Sequence, residues 1–187
     1  MNKTQILLKH TSTYGAISGF MLIIASVIFY MFNIMPINFG KIALTGFFNY
    51  AIIIVLVIIG TKAYRDKVLG GVISYRDAFL AGLLIILFSS VLSGFYSLIF
   101  TTWIDPDYVT RLYTAMKDWM FDLLSRAGYP EEMIDQTIER MEQQEANYSP
   151  LMSFFTGIGS MVIVGAIICL ITSAFIKKNP DPFTEIN

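Results

Sequence analysis

Four stretches of this 187-residue sequence contain no Asp, Glu, Lys, Arg or His: Tyr14–Asn33, Leu44–Thr61, Ala78–Trp103 and Leu151–Ile176, of 20, 18, 26 and 26 residues. A helix rises ~1.5 Å per residue and the hydrocarbon core of a bilayer is ~30 Å thick, so about 20 apolar residues cross it. The first two blocks just suffice. The last two reach about 39 Å and must tilt or project into the headgroups. A water-soluble helical bundle would need a polar stripe along each helix, and these blocks have none. The expectation is an all-α, four-helix integral membrane bundle.

Composition agrees. Hydrophobic residues make up 55% and charged residues 14%, where soluble domains average about 25% charged. Mean hydropathy is +0.62. These figures exclude a disordered, collagen-like or disulfide-stapled chain and argue against an ordinary soluble enzyme. The single cysteine, Cys169, lies inside the fourth block, so no intrachain disulfide forms, and it reads as a small packing residue. Lys3 and Lys9 precede the first block as in a secretion signal. Its apolar run is longer than a signal core, however, and Asn33-Ile34-Met35-Pro36 is a poor cleavage site, so the block reads as a retained span. No lipidation motif is legible.

Four spans put both termini and the middle loop on one side. That side carries Lys3, Lys9, Lys62, Arg65, Lys67, Arg76, Lys177 and Lys178, eight positive charges against five (Lys41, Arg111, Lys117, Arg126, Arg140) on the other. Cytoplasmic loops hold the excess of Lys and Arg, so both termini are expected in the cytoplasm. Tyr14 and Tyr30, Phe100 and Trp103, and Phe154 and Phe155 stand near block ends, where aromatic rings anchor at the interface.

The largest polar segment, Asp105–Pro150, holds ten acids and four bases. Asp105-Pro106-Asp107 is a helix-start signal, Gly128 a stop, and Pro130-Glu131-Glu132 a second start. An acidic extramembrane helical hairpin over about 105–149 follows, with Ser149-Pro150 capping the fourth span. Its first helix carries a broad apolar face, of which Met116, Trp119 and Leu123 are the candidate partner face. Glu132, Asp135, Glu139 and Glu142 share one face of the second helix, but this spacing belongs equally to any solvated acidic helix, and no metal site is assigned.

In the loop Lys62–Asp77, Gly70-Gly71 suggests a tight turn or a tiny hairpin, and Ser74-x-x-Asp77 resembles a capping box opening the third span. The glycines make no phosphate loop, since no Lys-Ser ending follows. No charged residue lies inside a span, where one would mark an ion or proton path. Asn49 is the one carboxamide well placed in a span, though near one end of it, and reads as a tie between helices. His10 lies in the N-terminal tail without a second metal ligand. Small residues form stripes: Gly15 and Gly19 in the first span; Ser89, Ser93 and Ser97 in the third; Gly157, Gly165, Cys169 and Ser173 in the fourth. Such faces let backbones approach closely, and here they imply packing of the third span on the fourth, a small polar cavity, or a dimer face. Asn49, Ser89, Ser93, Ser97, Gly157 and Gly165 are the candidate packing or cavity residues. No catalytic or cofactor-binding residue is assigned, and no nucleic-acid partner is expected.

The stretches GGVISYRDAFLAGLLIILFSSVLSGFYSLIFTTWIDPDY (Gly70–Tyr108) and PLMSFFTGIGSMVIVGAIICLITSAFIKKN (Pro150–Asn179) resemble a family of small bacterial membrane proteins, domain of unknown function 4199. The resemblance rests on Gly70-Gly71, Ile73-Ser74-Tyr75, Asp105-Pro106, Gly157 with Gly165, and Lys177-Lys178. It implies a four-span protein of the bacterial cell (inner) membrane and brings no activity, ligand or catalytic residue. Three roles compete. The first is a non-enzymatic scaffold or accessory subunit whose partners are the bilayer and a second copy or another membrane protein. The alternative is an oligomeric transporter or channel for a small neutral solute. The third is a lipid-acting enzyme using Asp105, Asp107 or Tyr75-Arg76-Asp77.

Overall fold

The computed structural model describes residues 2–179. Six α-helices follow in order: α1 (Lys3–Met31), α2 (Phe39–Lys67), α3 (Tyr75–Ile99), α4 (Tyr108–Arg126), α5 (Glu131–Ala146) and α6 (Pro150–Ile176). Four are long and apolar enough to cross a membrane, namely α1, α2, α3 with its continuation to Ile104, and α6. The chain is a multi-pass membrane protein, an all-helical bundle.

Each spanning helix outruns its charge-free block. The 29 residues of α1 and of α2 correspond to about 44 Å, the thickness of a bilayer with its headgroups. The first ten residues of α1 are polar at intervals, yet they stay helical because they pack. Leu7 lies against a buried cluster, and Thr11, fully buried, donates its hydroxyl to the Leu7 carbonyl (2.8 Å). The first block ends two residues early: Asn33 takes a left-handed φ of 54° just past the helix, a conformation Asn tolerates.

Caps follow local chemistry. Ser74 accepts the Asp77 amide (3.1 Å) at the start of α3, and its own hydroxyl donates to the Asp77 carboxylate (3.1 Å), a variant of the box expected there. Ser149 accepts the Met152 amide at the start of α6. Gly128 takes φ 76° just after α4, and α5 begins after Pro130. Gly70 and Gly71 both have positive φ, which any side chain would resist, and so they form a turn. No hairpin forms there. Ile73 instead exchanges two backbone hydrogen bonds with Lys178 (3.1 and 3.0 Å), tying the end of the last span to the middle loop.

The centre of the bundle is α3, which packs along both α1 and α6. Its glycine contacts explain the closeness. A Cβ on Gly165 would stand 2.7 Å from Ile86, and one on Gly15 would press on Phe88 and the Ile85 carbonyl. The small-residue stripes are thus occupied within one chain over this stretch. Two buried clusters result. Tyr64, Ile73, Ala78, Ala81 and Ile176 lie nearest the termini, and Leu22, Ile53, Val57, Ile85, Ile86 and Cys169 lie deeper. The closely buried positions gather toward the end nearest the termini in α2 (Ile53 to Tyr64), α3 (Ala78 to Ser90) and α6 (Gly165 to Ile176), and run from Thr11 to Leu22 across the middle of α1. Beyond them, among the described residues, Phe100 at the far end of the third span and Ile134 of α5 are buried.

Candidate functional site: a polar cleft in the open half

The opposite half of the bundle is open because α2 stands off from the layer made by α1, α3 and α6. From Phe39 to Ile52 it buries no residue. The gap is polar. A cleft of about 220 Å³ lies between α1, α2 and α3, lined by Ser26, Asn49, Ser93, Tyr96 and Ser97 over a floor of Leu22, Phe100 and Met161. A second, of about 180 Å³, continues it toward the α3–α4 corner, sharing Ser26, Asn49 and Phe100 and adding Tyr30, Thr45 and Tyr108. A third, of about 310 Å³, lies on the α6 side and meets the first at Ser93, Ser97 and Met161; Tyr50, Ser90, Ser153 and Ser160 line it.

Helix periodicity places these groups. Thr45 and Asn49 are four apart on α2, and Ser93, Tyr96 and Ser97 recur on one face of α3. Ser93 spends its hydroxyl on the Ser89 carbonyl (2.9 Å) and Thr45 on the Lys41 carbonyl (2.9 Å), as such residues do in apolar helices. Asn49 differs: its carboxamide makes no hydrogen bond among the described residues.

At the mouth, α3 ends in a π-helical turn, Phe100–Ile104, closed by the Asp105 amide on the Phe100 carbonyl (2.8 Å). Such turns recur at functional sites. This one sets Phe100 edge-on to Tyr30 (5.0 Å) and Tyr108 (5.3 Å), making a three-ring rim. Asp105 closes the corner. It accepts the Tyr30 hydroxyl (3.0 Å) and pairs with the Arg111 guanidinium. The Arg111 pair, with help from the Tyr30 hydroxyl, holds the Asp105 carboxyl below the usual carboxylate range despite desolvation. The same pair raises Arg111, and burial pushes the Tyr108 phenol up.

The expected site residues separate. Asn49, Ser93 and Ser97 come together in the cleft, while Gly157 lines the α6-side cavity with nothing within 4 Å of its would-be Cβ. Ser89 and Gly165 lie in the closed half. Ser89 donates to Ser18 (3.1 Å), joining α3 to α1, and Gly165 receives Ile86. Asn49 makes no interhelical hydrogen bond among the described residues, whereas the Ser18–Ser89 bond joins α1 to α3. Tyr14 and Tyr30 turn inward, Tyr14 onto the deeper cluster and Tyr30 onto the rim, whereas Trp103 remains exposed. Ser26, Thr45, Tyr96 and Tyr108 were not singled out from the sequence, and Tyr30 was read there only as an interface anchor. Hydroxyls occur in both halves of the charge-free blocks, so no pattern in the sequence marks these five.

Outside the spans, α4 and α5 pair through Lys117, held by Glu145 (3.0 Å) and Glu142 (3.7 Å); Glu145 above all raises the lysine's pKa. Between them runs an open groove of about 560 Å³, apolar along Val109, Leu112, Met116, Met120 and Met141. The proposed partner face divides. Met116 lines this groove, Trp119 packs edge-on against Phe39 of α2 (5.0 Å), and Leu123 points to neither. Successive helical turns of α4 are shared between a groove and the spans beneath. Among the described residues no three His, Cys, Asp or Glu gather as a metal site. His10 touches the Gly60 carbonyl (3.0 Å) between Tyr14 and Tyr64, at the end remote from the cleft.

A family model described as protein of unknown function (DUF4199) matches residues 13–178. No curated protein and no solved structure matches the chain.

Proposed function

We propose that this chain, which belongs to the DUF4199 family, is a non-enzymatic accessory or scaffold protein of a bacterial cell membrane, with both termini in the cytoplasm and the α4–α5 hairpin outside. The observation that carries the reading is the open groove of the hairpin. No residue of α4 is buried, although its apolar face is broad. Three methionines, Met116, Met120 and Met141, line the groove. Methionine side chains adapt to varied partner surfaces, and an uncovered apolar face beside an aqueous phase favours association. The excess of positive charge on the termini side supports the orientation.

A photocrosslinker placed at Met116 in native membranes tests the role. It is expected to capture a second copy or a membrane protein, and to lose that product when Met120 and Met141 are both changed to Glu. Crosslinks to lipid alone would remove the reading. For orientation, a cysteine at Asp135 should react with an impermeant thiol reagent on intact cells and one at Gly70 should not.

A second reading has its own support. The polar cleft in the open half suits an oligomeric carrier or channel for a small neutral solute, since four spans are few for a pore in one chain. Flux of glycerol into liposomes holding the purified protein, against empty liposomes, tests it.

A further inference from the structure

We infer that the cleft between α1, α2 and α3 is a binding site for a small uncharged solute carrying both hydrogen-bond donors and acceptors, anchored by the Asn49 carboxamide. The assignment deepens the second reading by naming its site and ligand class, and it requires binding but not flux.

Position comes first. Asn49 stands five residues into its charge-free block, roughly 8 Å along α2 from Leu44. At that depth water is scarce and an unpaired carboxamide is costly. The group offers two donors and a two-lone-pair acceptor, yet it pairs with nothing among the described residues and faces a cleft of about 220 Å³. The hydroxyls of Ser26, Tyr96 and Ser97 line the same space, with Ser26 and Tyr96 close enough to hydrogen-bond to one another. A lipid chain could fill the volume but would satisfy none of these groups.

Charge sets the class. No acid, base or histidine lines the cleft, so an ion entering it would meet no counter-charge and would lose its hydration. The adjoining space at the mouth is walled by Tyr30, Phe100 and Tyr108. The ion pair beside it, Asp105 with Arg111, is already mutually satisfied. Together the two spaces admit a molecule of a few heavy atoms, an amide or a polyol.

Protein in nanodiscs, observed by saturation-transfer NMR, tests the site with four probes: propionamide, glycerol, acetate and ethylammonium. The neutral pair should receive saturation and the charged pair should not. Asn49→Leu should weaken the neutral signals at least tenfold and Tyr96→Phe several-fold, while Ser89→Ala, in the closed half, should leave them unchanged. A thermal melt of each variant separates loss of binding from loss of fold. An independent measurement uses Ser97→Cys: the new thiol should react with a small neutral maleimide far faster than native Cys169, and propionamide should slow it. Equal signals from charged probes, signals that survive Asn49→Leu, or a cleft that takes up only water or lipid would overturn the assignment. Binding without glycerol flux would remove the carrier reading and leave the site standing.

Discussion

The half of the bundle nearest the termini and the half nearest the hairpin are built from the same four helices, yet they differ in what fills the space between them. In the first, glycines meet branched side chains, one serine pair is buried, and a two-bond bridge from Ile73 to Lys178 shuts the end, with Arg65 donating to the Ile176 carbonyl (3.1 Å). In the second, α2 diverges and hydroxyls and an amide line the gap. Helices already in hydrocarbon associate through close packing and interhelical hydrogen bonds. Where those are met the bundle shuts, and where bulky rings such as Phe29 and Phe48 (6.1 Å apart) intervene it stays apart.

The contrast breaks most readily at glycine. Gly15→Ala places a methyl against the Ile85 carbonyl (2.9 Å) and the Phe88 side chain, and should destabilise by about 1–3 kcal/mol as overpacking does. Gly159→Ala, with open space around it, should stay within about 0.5 kcal/mol of the parent. Thermal melts in one detergent compare them. Equal losses would erase the distinction between the halves.

Unpaired polar groups sharpen it. The Thr61 hydroxyl is buried in the closed half without a partner, and Asn49 is unpaired in the open half. Thr61→Val and Asn49→Leu should each stabilise the ligand-free protein, by about 1 kcal/mol, but only Asn49→Leu should cost ligand binding. Ser89→Ala, which deletes the Ser18 hydrogen bond, should destabilise by about 0.5–1 kcal/mol in the same assay.

The smallest effect is expected at the rim. Asp105 is ionised more readily in the folded protein than free, so its contribution is complete above its ordinary value near ~3.9. That contribution is lost as pH falls through the lowered native value. The melting temperature of the parent should therefore drop on acidification below about pH 4 more steeply than that of Asp105→Asn. Parallel curves would show that the Tyr30–Asp105–Arg111 corner contributes nothing.

Much of the architecture was legible in residue order. Charge-free blocks about as long as the hydrocarbon core, or longer, require spanning helices whatever surrounds them. Ser74, Gly128, Pro130 and Ser149 mark boundaries by local backbone chemistry that needs no tertiary partner. The site was legible only in part. Asn49, Ser93 and Ser97 stood out as polar residues in apolar surroundings, but nothing in their spacing separated them from Ser89, four residues along the same helix.

What the sequence determined by itself is the number of crossings and the chemistry each helix carries, because the cost of placing charge or unpaired backbone in hydrocarbon acts residue by residue. What only the tertiary structure decided is where the helices part. Whether a serine meets another serine or faces a cleft depends on interhelical distance, and that distance is set jointly by side chains from three helices distant in the chain.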